Sequence, residues 1–419
     1  MAINRHVRIG LAGIGGYGEA YLDALLHDPR AAGGRLIGVV ETMPHRCRRL
    51  DELAARGIPV HPTVDALFAT SRVDLLMIAS PIHAHAPQTC FALQHGANVL
   101  CEKPLAGSLA DGVRMAECER TSRQFAAIGY QWSFSDAVQA LKRDIMAGAL
   151  GRPIRMKTLV FFPRTVSYFR RNDWAGRVRT AEGEPVLDSP ANNAAAHYLH
   201  NMLYLLGRTR ESSTVPQSVQ AELYRANEIE NYDTVALRAM TSCGSEVLFY
   251  ASHAVPDRRG PVCHFEFERG TVTYDADGDS TFTATFLDGR VRSYGDPNVD
   301  RNNKIWQSIE AVDTGARPVC GIPAALAHTA CVLAAQQSVK AIIEFPQRMR
   351  KLTRWEGGDS AVCVEGLAEC LTACFAEGLL PAEMDRFAWS QPGARIELPA
   401  LHRFGQRAAG AHAGAATHA

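Results

Sequence analysis

The sequence predicts two architectures in one chain: an N-terminal α/β region with a parallel sheet, and a larger C-terminal α+β region with an open antiparallel sheet. Three observations carry this. Over residues 7–129, short apolar runs alternate with amphipathic stretches, the pattern of a parallel sheet covered by helices. After about Lys142, β-rich segments follow one another across short turns such as Asp288-Gly289, and strands joined so closely must run antiparallel. Finally, 419 residues with 47% hydrophobic content exceed what one core usually holds.

In chain order, Val7–Ala12, Leu36–Val40, Leu75–Ala79, Asn98–Cys101 and Phe125–Ile128 read as buried strands. Tyr17–His27, Pro44–Arg56, His83–His95 and Ser108–Ser122 carry helical periodicity between them. In the second region strands are expected across 153–162, 218–225, 234–240, 246–253, 262–267, 271–274, 281–287 and 290–294. Helices are expected at Asn193–Leu206, Ala324–Ile343 and Ser360–Gly378. The domain boundaries that follow are 1–129 and 130–404, with an extension from about 347. A tail at 405–419, rich in Ala, Gly and His, reads as disordered.

Basic and acidic residues balance at 44 each without blocks of one sign, which argues against nucleic acid or an anionic membrane as partner. A small molecule fits better. No apolar run reaches the roughly 18–20 residues that span a bilayer. The 11 cysteines show no paired ligand spacing, so a reducing cytoplasm, without disulfides or structural zinc, is expected. Cys363, Cys370 and Cys374 recur at helical spacing among Val364, Leu367 and Leu371 and read as packing residues.

The strongest local motif is Gly13-Ile14-Gly15-Gly-Tyr-Gly18, directly after the first strand and at the start of a helix. Gly13 permits the tight turn, Gly15 lets the backbone approach a pyrophosphate, and Gly18 allows close helix packing. The helix amides then favour the phosphates. Glu41 closes the second strand, where a carboxylate accepts hydrogen bonds from ribose hydroxyls, favouring NAD. His45, Arg46, Arg48 and Arg49 follow closely and leave NADP open, since an arginine can neutralise a 2′-phosphate.

A second constellation joins Ser80-Pro81 and His85, after the Leu75–Ala79 strand, to Cys101-Glu102-Lys103-Pro104 at the end of the next strand. With the glycine motif, these residues resemble the glucose-fructose oxidoreductase/inositol dehydrogenase (Gfo/Idh/MocA) family over roughly residues 5–345. The resemblance implies a Rossmann domain followed by an open sheet. It places Lys103 beside nicotinamide and substrate, with Glu102 positioning it and Ser80, Pro81 and His85 near the cofactor. Chemistry agrees, because alcohol oxidation requires a proton acceptor, and a neighbouring cation or desolvation lowers a lysine pKa.

The family also carries a carboxylate four residues before a histidine, on a helix ending in an apolar-Gly turn. His197 matches the histidine by its distance to Leu205-Leu206-Gly207, whereas the family aspartate falls on Asn193. Residues four apart share a helical face, so the two can address one cleft. A neutral amide can orient an imidazole but cannot stabilise imidazolium as a carboxylate does. Asp188 restores the carboxylate if its segment folds back, and His200 competes with His197 as base. Histidines three apart without a third ligand are weak evidence for metal, and none is expected.

Gln131, at the sequence junction of the two regions, is a candidate substrate contact. Tyr168, Arg170, Arg171 and Trp174 combine aromatic faces with donors, suited to a sugar, a sugar acid or a cyclitol. The expected activity is NAD(P)-dependent hydride transfer at a secondary hydroxyl or ketone of such a substrate. An NAD-dependent glycosidase and a non-catalytic NAD-binding regulator are the alternatives. With a few helices expected against one face of the antiparallel sheet, its other face is expected to be open for subunit contact, giving a homodimer or homotetramer.

Overall fold

The computed structural model describes residues 6–398, so the tail expected to be disordered lies outside the described residues. The chain forms two compact units. One comprises the chain up to Phe134 together with Asp300–Ala325; the other comprises Ser135–Val299 with the chain from Leu326 onward. The sequence reading leaves 300–325 in the second region, but helix Asn303–Thr314 packs on the first unit's sheet.

In the first unit, strands β1 (Val7–Ala12), β2 (Gly34–Val40), β3 (Val60–His61), β4 (Leu75–Ile78), β5 (Asn98–Cys101) and β6 (Ala126–Ile128) form a parallel sheet. Their order is β3-β2-β1-β4-β5-β6, so the chain reverses its winding between β1 and β4. Every residue of β4 is buried, as expected of a strand covered on both faces, and this is why its sequence is a continuous apolar run. The predicted strands recur here apart from their ends. β3 escaped sequence reading because two residues carry no period, and with it went helix Val64–Thr70, which Thr63 caps through Ala66 N at 3.2 Å. Predicted helix 44–56 is a short 3₁₀ turn, Pro44–Arg46, followed by helix Leu50–Ala55.

In the second unit, β7 (Pro153–Phe161), β8 (Pro216–Arg225), β9 (Thr234–Thr241), β10 (Glu246–Ser252), β11 (Arg259–Phe267), β12 (Gly270–Asp275), β13 (Phe282–Phe286), β14 (Val291–Gly295) and β15 (Ile343–Glu344) share one sheet. The order is β14-β13-β12-β11-β7-β10-β9-β8-β15. Most pairs are antiparallel; β7 with β10 and β8 with β15 are parallel. A hairpin of β16 (Arg350–Arg354) and β17 (Ser360–Val364) follows, and β18 (Ile396–Glu397) pairs with β8.

Side chains alternate across this sheet, and both faces of its central strands are occupied. Thr158 of β7 donates to Met202 Sδ of helix Ala196–Leu205 on one face. Lys157, its neighbour, points to the opposite face and reaches Ala376 O at 3.3 Å. There, helix Leu367–Glu377 buries Leu367, Cys370, Leu371 and Cys374 against Leu159, Phe161, Tyr224 and Leu248. Tyr250 of β10 fixes it by donating to Leu379 O at 2.9 Å. The face expected to be open for subunit contact is therefore covered, over these strands, by the chain's own extension. Thr273, Thr285 and Ser293 on the outer strands remain exposed.

Predicted helix 360–378 needs correction: its first third is strand β17, and left-handed Gly366 (φ 75°) starts the helix proper. Cys363 lies on the strand, whereas Cys370 and Cys374 pack from the helix as expected. Predicted helix 324–343 runs instead over Ile322–Gln337.

Candidate active site

Three loops meet at the carboxyl edge of the first unit's sheet, because the strands they follow, β1, β4 and β5, are neighbours. Gly13 has φ 80°, and a Cβ there would lie 2.7 Å from Ser80 N, so glycine is what lets the first two loops touch. A Cβ on Gly18 would lie 1.9 Å from Gly13 O, which explains the motif's third glycine. Above Gly16, also left-handed at φ 67°, the space is open. This cradle at the start of helix Gly18–His27 fits a dinucleotide pyrophosphate.

Glu41 follows β2 and lies beside the turn. Its Oε2 accepts from Ile14 N at 3.0 Å and Gly15 N at 3.1 Å, and its Oε1 accepts from Met43 N at 2.9 Å. Burial opposes the charge, yet these amides hold the carboxyl below its usual range. Arg48 is engaged by Glu19, and Arg49 by Asp23 and Glu52. Arg46 is exposed, with its Cβ near Gly15.

His85 is fully buried and its ring bridges two loops: Nδ1 lies 2.8 Å from Pro104 O and Nε2 lies 3.0 Å from Ser80 O. Desolvation lowers its pKa, the carbonyls acting against this. Its side chain thus ties the Ser80-Pro81 turn to the Lys103-Pro104 turn instead of lining the cradle.

Glu102 precedes Lys103 at the end of β5 and is buried. Its Oε1 accepts from Tyr21 OH at 2.6 Å and pairs with the Lys304 ammonium, while Oε2 accepts from Lys103 N at 3.1 Å. Gly129 leaves room for the carboxylate, since a Cβ there would stand 2.9 Å from Oε1. Burial pushes Glu102 up, but Lys304 and Lys103 outweigh it and its pKa is lowered. Removing one partner of such a buried pair costs about 3–5 kcal/mol. Sequence reasoning missed Lys304. Its signal was a lysine on the apolar face of a helix, where Ile305, Ser308, Ile309 and Ala311 are also buried. Gln131 lies in the 3₁₀ turn Gln131–Phe134, half-buried, after β6.

In the second unit, the segment expected as one helix from Asn193 is broken. Pro190–Ala194 forms a π turn, and the α-helix begins at Ala196, so Asn193 and His197 are not on one continuous α-helical face. The turn instead brings Asp188 back onto Asn193: Nδ2 donates to Asp188 Oδ1 at 2.7 Å. Asp188 Oδ2 accepts from Gly176 N at 2.7 Å and meets Arg171 at 3.4 Å. Arg171 also lies 3.8 Å from the Tyr168 ring centre and 5.2 Å from that of Trp174. It is thereby the brace of an aromatic stack, whereas Arg170 is exposed. His197 is half-buried. His200 is buried, stacks on Tyr204 and is held well below its usual pKa by desolvation, then by His328 and Lys142. A neutral, enclosed ring is poorly suited to exchanging protons with substrate.

Among the described residues, no group of three His, Cys, Asp or Glu side chains is arranged to hold a metal ion, and no helix is long and apolar enough to cross a membrane.

Residues 7–130 match the family described as "Oxidoreductase family, NAD-binding Rossmann fold". Inositol 2-dehydrogenase 4 of Saccharopolyspora erythraea is 32% identical over 154 residues, 36% of this chain and 45% of that one. Inositol 2-dehydrogenase of Acidothermus cellulolyticus is 31% identical over 41% of this chain and 50% of its own. The chain thus spans about half the length of these curated relatives. The WlbA dehydrogenase of Bordetella pertussis, solved with NADH and UDP-GlcNAcA, shares the fold with a TM-score of 0.68 at 22% identity, covering 80% of this chain and 98% of that one.

Proposed function

We infer from its N-terminal domain, which belongs to the Gfo/Idh/MocA oxidoreductase family, that this protein is a nicotinamide-dependent dehydrogenase acting on a secondary hydroxyl or ketone of a sugar, sugar derivative or cyclitol. The observation that carries the reading is the meeting of three loops at one sheet edge: the glycine turn, Ser80-Pro81 and Glu102-Lys103. That edge, where the strand order reverses, is where such sheets bind ligands. The inositol dehydrogenases among the relatives support a cyclitol or sugar as substrate class.

NAD is the proposed cofactor, and it would supply the hydride acceptor. Glu41 would receive the ribose hydroxyls, and its charge would repel a 2′-phosphate. Arg48 and Arg49, already paired with acids, would offer that phosphate little. Gly13, Ile14, Gly15 and Gly18 would shape the phosphate cradle, with Ser80 and Pro81 beside it and His85 fixing the two turns.

Lys103 Nζ is assigned the substrate proton. As the carbinol C–H bond breaks and its electron pair leaves as hydride, the hydroxyl O–H bond breaks, the proton passes to Nζ, and the carbonyl forms. His197 is assigned to polarise or hydrogen-bond the reacting oxygen. Asp188 holds the Asn193 amide by accepting from its NH₂ group. Gln131, Tyr168, Arg170 and Trp174 are assigned to substrate recognition, with Arg171 bracing the Tyr168 and Trp174 rings. The proposed setting is the cytoplasm; ten of the eleven thiols are buried and none is joined in a disulfide.

The test is incubation with NAD or NADP and a panel of cyclitols, sugars and sugar acids, following reduced nicotinamide and identifying products. Substrate-dependent reduction that Lys103→Met abolishes supports the reading. No reduction with any polyol, while glycosides are cleaved, would refute it.

A further inference from the structure

We propose, building on the dehydrogenase reading, that Lys304 is a positioning residue: it neutralises the Glu102 carboxylate and thereby sets the proton affinity of Lys103. The helix Asn303–Thr314 delivers Lys304 about two hundred residues after Glu102, into a site where it is 1% exposed and paired with Glu102 Oε1. The other oxygen of the same carboxylate accepts from the backbone N–H of Lys103. One carboxylate thus stands between two lysines.

The consequence is electrostatic. Glu102 and Lys103 act on each other through space, and a lone carboxylate within such reach, in a medium of effective dielectric about 20, raises a lysine pKa by about one pH unit or more. Such a lysine would stay protonated and accept no proton from an alcohol. An ion pair presents little net charge, so Lys304 removes most of that bias.

The remaining groups around Glu102 do not supply this counter-charge. Tyr21, donating to Oε1, is pushed well above its usual range by burial and by Glu102 itself. Lys304 pulls Tyr17 down, but burial and Glu102 outweigh it and Tyr17 is raised. His85 is lowered by burial, and both Tyr130 and Cys101 are raised by it. All five are therefore neutral near pH 7. Arg301, on the segment that carries Lys304, acts on Tyr17. Lys304 itself keeps its charge, since Glu102 outweighs the burial that lowers it.

The test is competitive acetylation of the full-length protein across pH, with Lys103, one of six lysines, followed by peptide mass spectrometry. This readout needs no turnover. Lys304→Met is expected to raise the apparent pKa of Lys103 by about one pH unit or more, and Glu102→Gln to lower it by a similar amount. The double variant Glu102→Gln/Lys304→Met is expected within about 0.3 of wild type, and Lys304→Arg likewise. If turnover is found, the acidic limb of kcat/KM moves in parallel. A purely structural role for Lys304 would lower stability without opposite shifts in the two single variants. Shifts of one sign, or of less than about 0.3, overturn the proposal. Should Lys304→Met not fold, an unshifted Glu102→Gln variant overturns it by itself. Opposite shifts in a protein that reduces no nicotinamide would sustain the charge assignment and defeat only the dehydrogenase reading.

Discussion

Glu102 in the first unit and Asp188 in the second are both buried carboxylates close in sequence to a candidate proton-handling residue, yet they are held differently. Glu102 faces a full counter-ion, Lys304, and shares its second oxygen with the backbone of Lys103. Asp188 faces an amide, a backbone N–H and a guanidinium at the longer distance of 3.4 Å. The first arrangement cancels a charge that would disturb a neighbouring amine. The second uses the charge to hold donors in place, since hydrogen bonds to a buried carboxylate are short and directional. One acid is thus suited to electrostatic work and the other to geometric work.

The sharpest way to break this contrast is Lys103→Met, expected to lower kcat by about 10³-fold, while dinucleotide affinity measured by fluorescence changes little. Retained turnover would make the Glu102 arrangement irrelevant to proton transfer. Asp188→Ala should cost about 10²-fold in kcat/KM, by releasing Asn193, Gly176 N and Arg171 together. Asp188→Asn, which keeps one acceptor, should lose less. If the alanine variant is as active as wild type, the geometric role falls.

A third carboxylate extends the comparison to one without a strong partner. Burial pushes Glu222 of β8 up to about 7, although Tyr224 and Ala382 N donate to it. The folded state then holds its proton more tightly than the unfolded chain. Its stabilising contribution is complete below about pH 4.5 and is lost as pH rises toward 7. Urea unfolding should show a decline of about 2 kcal/mol between pH 5 and 7.5, flattened in Glu222→Gln. The smallest effect concerns Glu41, held by backbone amides alone: Glu41→Ala should shift the NAD-to-NADP ratio of kcat/KM by about tenfold toward NADP. An unchanged ratio would remove Glu41 from cofactor choice.

Much of the first unit was legible because its determinants are local. A buried parallel strand is a continuous apolar run, and the glycines answer to a turn of six residues. Legibility failed where elements are short, as at β3, or where a helix returns from far along the chain, as at Asn303–Thr314. The second unit misled at Asn193, where period counting assumed an α-helix and the chain makes a π turn. It misled again at 360–364, because apolar residues bounded by glycine fit strand and helix alike.

By itself the sequence determined the glycine cradle, the acid after β2, and a lysine placed at a strand end, since each depends on residues a few positions apart. The tertiary structure alone decided which groups neutralise or orient the carboxylates: Lys304 for Glu102, Asn193 and Arg171 for Asp188. It also decided that the extension lies over the central strands of the second sheet. The physical reason is common to all three. Desolvation and charge pairing depend on distance through space, and the chain brings partners together whose separation along it carries no periodic signal.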